Sequence, residues 1–474
     1  MKNKLKFICN KDEIGTFVHP GLSLMDFLRN NLALTGTKEG CREGDCGACT
    51  VLIGELQGKQ VQYHSVNSCL FPVGDVNGKH VVTVEGLNDG GLSVVQKAFV
   101  DEGASQCGFC TPGFIVSLTG YFISNKVYSA IDAAYSMDGN ICRCTGHSSI
   151  IRAAKRSTEI LASNITNHSD HILSLIKGGL IPSYFSEIPS RLKIIKQQQI
   201  DESKKNISSY FISGGTDLFV QKWEDILNND IKLLSSNGLS SSIKEENGKC
   251  IIGANATVTD LINSPIISKI FPSLGEQLKL FGSLPIRNMA TIGGNIINAS
   301  PIADMTNIFL ALNSTLRLKR ENKFREIPLR DFYKGYKSID LLDGELIDEI
   351  SFRIPKEGSY FNFEKVSQRT FLDIASANSS IYIELDNSII TNCSLSAGGV
   401  APIPLYLKQT SEFLSGKELN YSSISEAATI TLTEISPISD ARGSAEYKSI
   451  LLRQLIYAHF IKLFPDKINI KEIA

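Results

Sequence analysis

The sequence predicts a multidomain α+β chain, and three observations carry that prediction. The chain has 474 residues, which gives room for two or three separate cores. Apolar residues recur with period two up to about residue 85, and with a period near 3.6 from there to about residue 163. Cysteines crowd the first part of the chain, and beyond Arg191 they thin out and an α/β texture takes over. The expected divisions are 1–85, 86–163, a connector at 164–190, 191–355 and 356–474.

In the first division, Lys4 to Asn10 and Ile14 to Val18 are expected as strands joined by Lys11-Asp12-Glu13. Ser23 suits a helix N-cap, with Asp26 completing a capping box, and Leu24, Phe27 and Leu28 give that helix one apolar face. The run from Gly40 to Cys49 then sets Cys41, Cys46 and Cys49 at C-x4-C-x2-C spacing, with Cys69 following. That is the plant-type ferredoxin spacing for holding a 2Fe–2S cluster on four thiolates. A loop wrapped round a cluster needs positive φ angles and backbone N–H groups close to sulfur, which Gly44 and Gly47 permit. Those donors favour the reduced, more negative cluster. Zinc is the rival ligand, but four intervening residues followed at once by two fit a zinc site poorly. Thr50 to Ile53, Gln60 to His64 and Val81 to Val84 complete a small mixed sheet with one helix across it, the ferredoxin-like β-grasp arrangement.

The second division is expected to be helical, beginning with a stripe of Leu92, Val95, Ala98 and Phe99. Cys107 and Cys110 stand just before Pro112, which suits the first position of a helix through Leu118. Cys142 and Cys144 precede a further helix, Ile150 to Leu161. Helix N-termini favour thiolates and an anionic cluster. By chemistry alone this second set suits either zinc or iron–sulfur. The neighbouring set tips the balance, because two one-electron centres side by side make a wire. Cys9, Cys250 and Cys393 sit in strand-like surroundings and are expected to be small buried hydrophobes.

The connector is polar, then broken by Gly178-Gly179, Pro182 and Pro189, with one short helix expected at Ile172 to Lys177. Beyond it stand two double-glycine turns. One follows the strand-like Tyr210-Phe211-Ile212, in Ser213-Gly214-Gly215-Thr216-Asp217-Leu218. The other lies in Ala290-Thr291-Ile292-Gly293-Gly294-Asn295 and runs on to Asp304. Each alone is an ordinary turn; together they suit a nucleotide cofactor held by backbone amides without a Rossmann fingerprint. In the last division, Ser376 to Glu384 and Ile389 to Ala397 are expected to pair around Asp386-Asn387, followed by helices at Ser422 to Glu434 and Ala445 to Leu463.

A net charge of −1 with mixed signs gives no basic face for nucleic acid. No stretch is long and apolar enough for a membrane span, and the N-terminus lacks a secretory pattern, so a cytoplasmic protein is expected. Eleven cysteines, eight of them in two tight groups, favour metal ligation over a disulfide framework. The seven histidines are scattered and form no catalytic constellation.

Nearly end to end, the chain resembles the small iron–sulfur/FAD subunit of bacterial xanthine dehydrogenases, in the molybdenum hydroxylase family. The residues that carry the resemblance are Gly36 to Val51, Ser105 to Gly113, Gly139 to Gly146, Gly214 to Asp217, Ala290 to Asn295, Gly398 to Ala401 and Ser444 to Tyr447. It implies a β-grasp 2Fe–2S ferredoxin domain, a helical-bundle 2Fe–2S domain, and a vanillyl-alcohol-oxidase-type FAD domain with a C-terminal α+β flavoprotein domain. The cluster ligands would be Cys41, Cys46, Cys49 and Cys69, then Cys107, Cys110, Cys142 and Cys144. The FAD contacts would be Ser213, Gly214, Gly215, Thr216, Asp217, Leu218, Phe281, Ala290, Thr291, Gly294, Asn295, Asn298, Asp304, Ile350 and Lys365.

The resemblance further implies a hetero-oligomer whose large subunit binds molybdenum-pterin. Electrons from xanthine would pass through the two clusters to FAD and on to NAD, yielding urate and NADH. No pterin-binding domain is expected here, so no catalytic residue is assigned to this chain. An aldehyde or N-heterocycle hydroxylase using the same wire is the alternative. Two departures stand out. His147-Ser148-Ser149 occupies the place of the family's Tyr-Arg-Pro, and Ala303 stands where Gly or Ser is usual.

Overall fold

The computed structural model describes residues 3–88, 90–164, 170–198, 210–235 and 238–468. The polar run 165–169 of the expected connector lies outside them. Two compact units are present: Met1–Asn237 with Ser283–Met289, and Gly238–Gly282 with Ala290–Ala474. No helix among the described residues is long and apolar enough to cross a membrane.

The first unit is built on a five-stranded sheet in the order Asp12–Val18, Asn3–Cys9, His80–Val82, Thr50–Gln57, Gln60–Asn67. His80–Val82 runs parallel to Asn3–Cys9, and the other pairs are antiparallel. Asn10 takes φ 53° in a tight turn, so Asp12 and Glu13 lie in a strand instead of the expected loop. Ser23 caps the helix Leu24–Asn30 by accepting from the Asp26 amide. The reciprocal backbone bond of a capping box is replaced by the Ser23 hydroxyl donating to the Asp26 carboxylate at 2.7 Å.

Side-chain alternation decides what each face of the sheet covers. Val51, Ile53 and Val81 point to Leu24, Phe27 and Leu28 of that helix. Their neighbours Leu52 and Val82 point the other way, into a helical core made by Val94–Asp101, Thr111–Ser124 and Ser148–Asn164. The helix Thr111–Ser124 starts one residue before Pro112, which therefore takes the second position. Leu92 lies outside Val94–Asp101 and is exposed, because Ser93 caps that helix in a full capping box with Gln96.

Some of the described residues of the expected connector belong to the core. Its helix is His171–Lys177, and Leu175, Leu180, Ile181 and Phe185 are buried with the helical layer. Ile188–Gln198 then packs Ile188, Leu192 and Ile195 against Ile8. Tyr210–Ile212 and Ile231–Leu233 form a parallel pair, and Ile212, Leu233 and Met289 join the core beneath the ferredoxin sheet. Within the expected 191–355 division, the described residues before 236 and Ser283–Met289 belong to the first compact unit and the others to the second.

Among its described residues the second unit holds two larger antiparallel sheets and a two-stranded one, Tyr333–Gly335 with Ser338–Ile339. One has the order Lys323–Pro328, Thr315–Arg320, Leu346–Arg353, Lys249–Gly253, Ile243–Glu246. The other runs Ser359–Val366, Ala377–Asp386, Ile389–Gly398, Leu405–Tyr406. Asn387 at φ 55° turns its central hairpin, at the expected place. The helices Lys408–Leu414 and Ala445–Leu463 cover this sheet, with Leu414, Leu452, Ile456 and Phe460 in one core with Ile381, Ile383 and Leu395, and Tyr421–Glu434 packs on both helices.

Candidate functional site

The eight clustered cysteines meet two by two. The Cys41 and Cys46 thiols shift one another's proton affinity, as do those of Cys49 and Cys69. In the second set the Cys144 and Cys107 sulfurs are 3.4 Å apart, and Cys142 acts on Cys110. A structural zinc site draws four donors round one point. A 2Fe–2S cluster has two irons that share four cysteines, so a pair of thiols for each iron is the donor arrangement it requires.

In the first set one thiol of each pair is favoured as thiolate at the other's expense: Cys41 and Cys49 are lowered, and Cys46 and Cys69 are raised, first by those partners. Cys41 is pushed down to about 5, first by the Cys46 thiol and then by the amides of Glu43, Cys46 and Asp45. The Glu43 amide lies 3.4 Å from the Cys41 sulfur. Gly44 and Gly47 take φ 79° and 65°, which lets these amides turn inward. Cys49 and Cys69 lie in the sheet core.

The second set stands on helix ends. Cys110 is the N-cap of Thr111–Ser124, and Cys142 and Cys144 shortly precede Ser148–Asn164. Burial opposes the Cys142 thiolate, but the Thr145 hydroxyl at 3.1 Å and the amides of Thr145 and Cys144 bring its pKa below the usual thiol value. Cys107 is lowered by the Phe109 amide and then by Cys144. Cys107 and Cys144 are exposed, as are Phe109 and Ile141 beside them. Cys9, Cys250 and Cys393 are buried as expected, and burial raises all three thiols.

Three features here were missed in the sequence. Asn140 is buried between the two loops and donates to Gly47 O at 2.9 Å. Arg287 makes a buried ion pair with Asp138 at 2.7 Å, inside the first unit. The His147 Nε2 accepts from the Cys142 amide at 3.2 Å, so the residue that departs from the family pattern touches a ligand's backbone. Asn140 and His147 border quoted cysteines, which was a usable signal; nothing in the spacing pairs Arg287 with Asp138.

The flavin candidates fall in both units and are described within each. In the first unit, Ser213, Gly214, Gly215, Thr216, Asp217 and Leu218 follow the strand Tyr210–Ile212 and are half-buried. Gly215 has φ 74°, and Gly214 lacks a positive φ.

In the second unit the other double glycine is no open turn. Thr291 caps the helix Ile292–Asn298 by accepting from the Gly294 amide at 3.2 Å, and neither Gly293 nor Gly294 has a positive φ. A Cβ on Gly293 would lie 2.9 Å from Ala254 O, so that glycine serves close packing. Asn295 accepts from the Thr306 amide, and Asn298 from Lys337. Asp304 and Lys365 form a buried ion pair at 2.8 Å, and Lys365 also donates to Leu280 O, next to the half-buried Phe281. Ala290 is buried. Ile350 is a fully buried strand residue between Leu316 and Ile252, so its side chain is core.

Four family models match along the chain. They are a 2Fe-2S iron-sulfur cluster binding domain at 8–74, a 2Fe-2S binding domain at 83–155, an FAD binding domain in molybdopterin dehydrogenase at 196–357, and a CO dehydrogenase flavoprotein C-terminal domain at 362–463. The chain is 30% identical to xanthine dehydrogenase of Emericella nidulans over 85% of its own length and 34% of that protein's. It is 25% identical to human aldehyde oxidase over 97% of its length and 39% of that protein's. It thus spans between a third and two fifths of these curated relatives. Among solved structures, the cyanide-inactivated form of Cu,Mo-CO dehydrogenase matches with TM-score 0.51 and 25% identity, over 54% of this chain and 90% of that one.

Proposed function

We propose, for a chain that belongs to the molybdenum hydroxylase family by its consecutive iron–sulfur and flavin domains, the role of electron relay in a purine-oxidising enzyme. The observation that supports this best is the two-by-two pairing of eight cysteines. When bound, the two clusters pass electrons singly and FAD accepts two, which suits a two-electron substrate to a hydride acceptor.

The chain's own residues hold and tune. Cys41, Cys46, Cys49 and Cys69 hold the first cluster, and Cys107, Cys110, Cys142 and Cys144 the second. The amides of Glu43, Asp45, Phe109 and Thr145 lower the thiols' proton affinity and favour the anionic ligands. The FAD contacts are those named from the sequence, with Ile350 restricted to its backbone. Asp304 and Lys365 neutralise each other and are assigned to orienting that site.

The second set is assigned to the side of a molybdenum-pterin-bearing large subunit, because its exposed sulfurs sit among exposed Phe109 and Ile141. The buried first set follows it in the relay, and NAD is the final acceptor. Human aldehyde oxidase among the relatives supports a second reading, with an aldehyde or N-heterocycle as substrate.

The test is to purify the chain with its large subunit, measure metals and flavin, and assay purines against aldehydes with NAD. About four irons per chain, FAD and two EPR signals are expected, with hypoxanthine or xanthine reducing NAD. Iron near two per chain with zinc making up the rest makes the second set structural. Turnover of aldehydes alone selects the second reading.

A further inference from the structure

The two cysteine loops touch backbone to backbone, and one side chain ties them. The Asn140 amide donates to Gly47 O at 2.9 Å, while its Oδ1 accepts from the Ser117 hydroxyl at 2.7 Å. The next residue continues the join, with Ile141 N donating to Cys46 O at 3.1 Å. Cys46 belongs to the first set, and Ile141 directly precedes Cys142 of the second. Asn140 and Ser117 are buried, so neither bond competes with solvent.

Glycine makes this approach possible. A Cβ on Gly47 would lie 2.2 Å from Gly139 O, and one on Gly113 would lie 2.2 Å from Gly47 O. A Cβ at either place cannot be accommodated without moving one loop off the other. Once the loops are this close, Asn140 is the group that fixes their register. Its short side chain donates and accepts at once, one end on the first loop and the other on the helix that carries Cys110.

We propose that Asn140 is a positioning residue that sets the separation of the two 2Fe–2S clusters, and so the rate of electron passage between them. The proposal rests on the reading of both cysteine sets as 2Fe–2S sites. The step oxidises one site by one electron and reduces the other by one. No bond forms or breaks and no proton moves. Its rate therefore depends on separation, intervening path and potentials, and it falls exponentially with distance.

The test uses the complete enzyme with both clusters reduced. Magnetic interaction between two paramagnetic centres falls with the cube of their separation, so it reports position independently of turnover. Asn140→Asp replaces the donor with a carboxylate facing Gly47 O; Asn140→Ala removes the tie; Ser117→Ala removes only its prop. Each should keep its iron and both EPR signals. The interaction between the signals should weaken in the order Asp, Ala, then the Ser117 variant. Rapid-freeze measurement should show electron passage slowed several-fold in the first two.

Gly113→Ala, which wedges the loops directly, should weaken the interaction in the same sense, and it serves if the Asn140 variants do not fold. An unchanged interaction in folded, fully loaded variants overturns the proposal and leaves the two-cluster reading standing. Wild-type enzyme with iron near two per chain overturns that reading itself.

Discussion

The two cysteine sets carry the same chemistry in opposite settings. The first is wound into a sheet, with Cys49 and Cys69 in the core and its glycines crowded by neighbours. The second stands on helix ends, with Cys107 and Cys144 exposed and Gly108, at φ 79°, facing open space. An insulated site is tuned by its own fold. An open site is finished by whatever covers it. The difference teaches that ligand spacing, which is similar in kind for both sets, says little about where in a relay a site stands.

The largest effect should come from the buried ion pair between Arg287 and Asp138 in the first unit. Arg287 and Asp138 are both nearly inaccessible, and Asp138 also accepts from the Leu284 amide at 2.8 Å. Arg287→Ala leaves a buried carboxylate without its cation and should cost about 3–5 kcal/mol in a denaturant melt. A loss below about 1 kcal/mol would place the pair with surface salt bridges.

Next come the two glycines. Gly47→Ala meets both a positive φ and a carbonyl at 2.2 Å, so strain of about 1–2 kcal/mol adds to overpacking of about 1–3 kcal/mol. Gly108→Ala meets only the strain. Melting curves of the two variants should therefore differ by the overpacking alone. Equal losses would mean that the first loop is no more confined than the second.

A third contrast lies in the buried acids of the two modules. Burial raises both Asp75 and Asp138, but Asp138 has Arg287 against it, whereas Asp75 has the Ser235 hydroxyl and a more distant Lys79. Asp75 is pushed up to about 6 from 3.8. The folded state then holds its proton longer than the unfolded chain does. Its contribution to stability is fully present below pH ~4, is lost as pH rises to about 6, and is flat above. The difference is worth at most about 3 kcal/mol. Asp75→Asn should remove that slope and stabilise the protein at pH 7. A slope that survives the substitution assigns it to another group.

The fold was legible where local pattern and burial agree. Thr50 to Ile53 reads as a strand, Ser23 as a helix N-cap and Ala445 to Leu463 as a helix, and the structure keeps all three. The two cysteine sets were legible from spacing and neighbourhood; which thiol meets which was not. What escaped was tertiary. Leu175, Leu180 and Phe185 were hidden by the glycines and prolines around them, which signal breaks but say nothing of burial. The helix after Thr291 escapes a local reading because a double glycine has low helix propensity, yet the close approach to Ala254 requires glycine there. Asn140 lay inside a quoted motif, but its partner Gly47 stands 93 residues away, beyond any local pattern.

The smallest effect is the most direct test of the comparison. Cys49 is a core residue of the first module, so Cys49→Ser puts a hydroxyl where a thiol packed and should cost the cluster-free protein about 1–3 kcal/mol. Cys107 is exposed, and Cys107→Ser should change the cluster-free melt by less than about 0.5 kcal/mol. In the loaded protein the ranking disappears, because each change removes a ligand. Cys49→Ser should abolish one EPR signal and Cys107→Ser the other, each sparing its neighbour. Measuring the cluster-free melt first separates the packing role of the sulfur from its role as a ligand. Equal destabilisation by both variants would erase the contrast between an insulated and an open site. Loss of both signals from either variant would show that the eight cysteines are not divided into the two sets assigned to them.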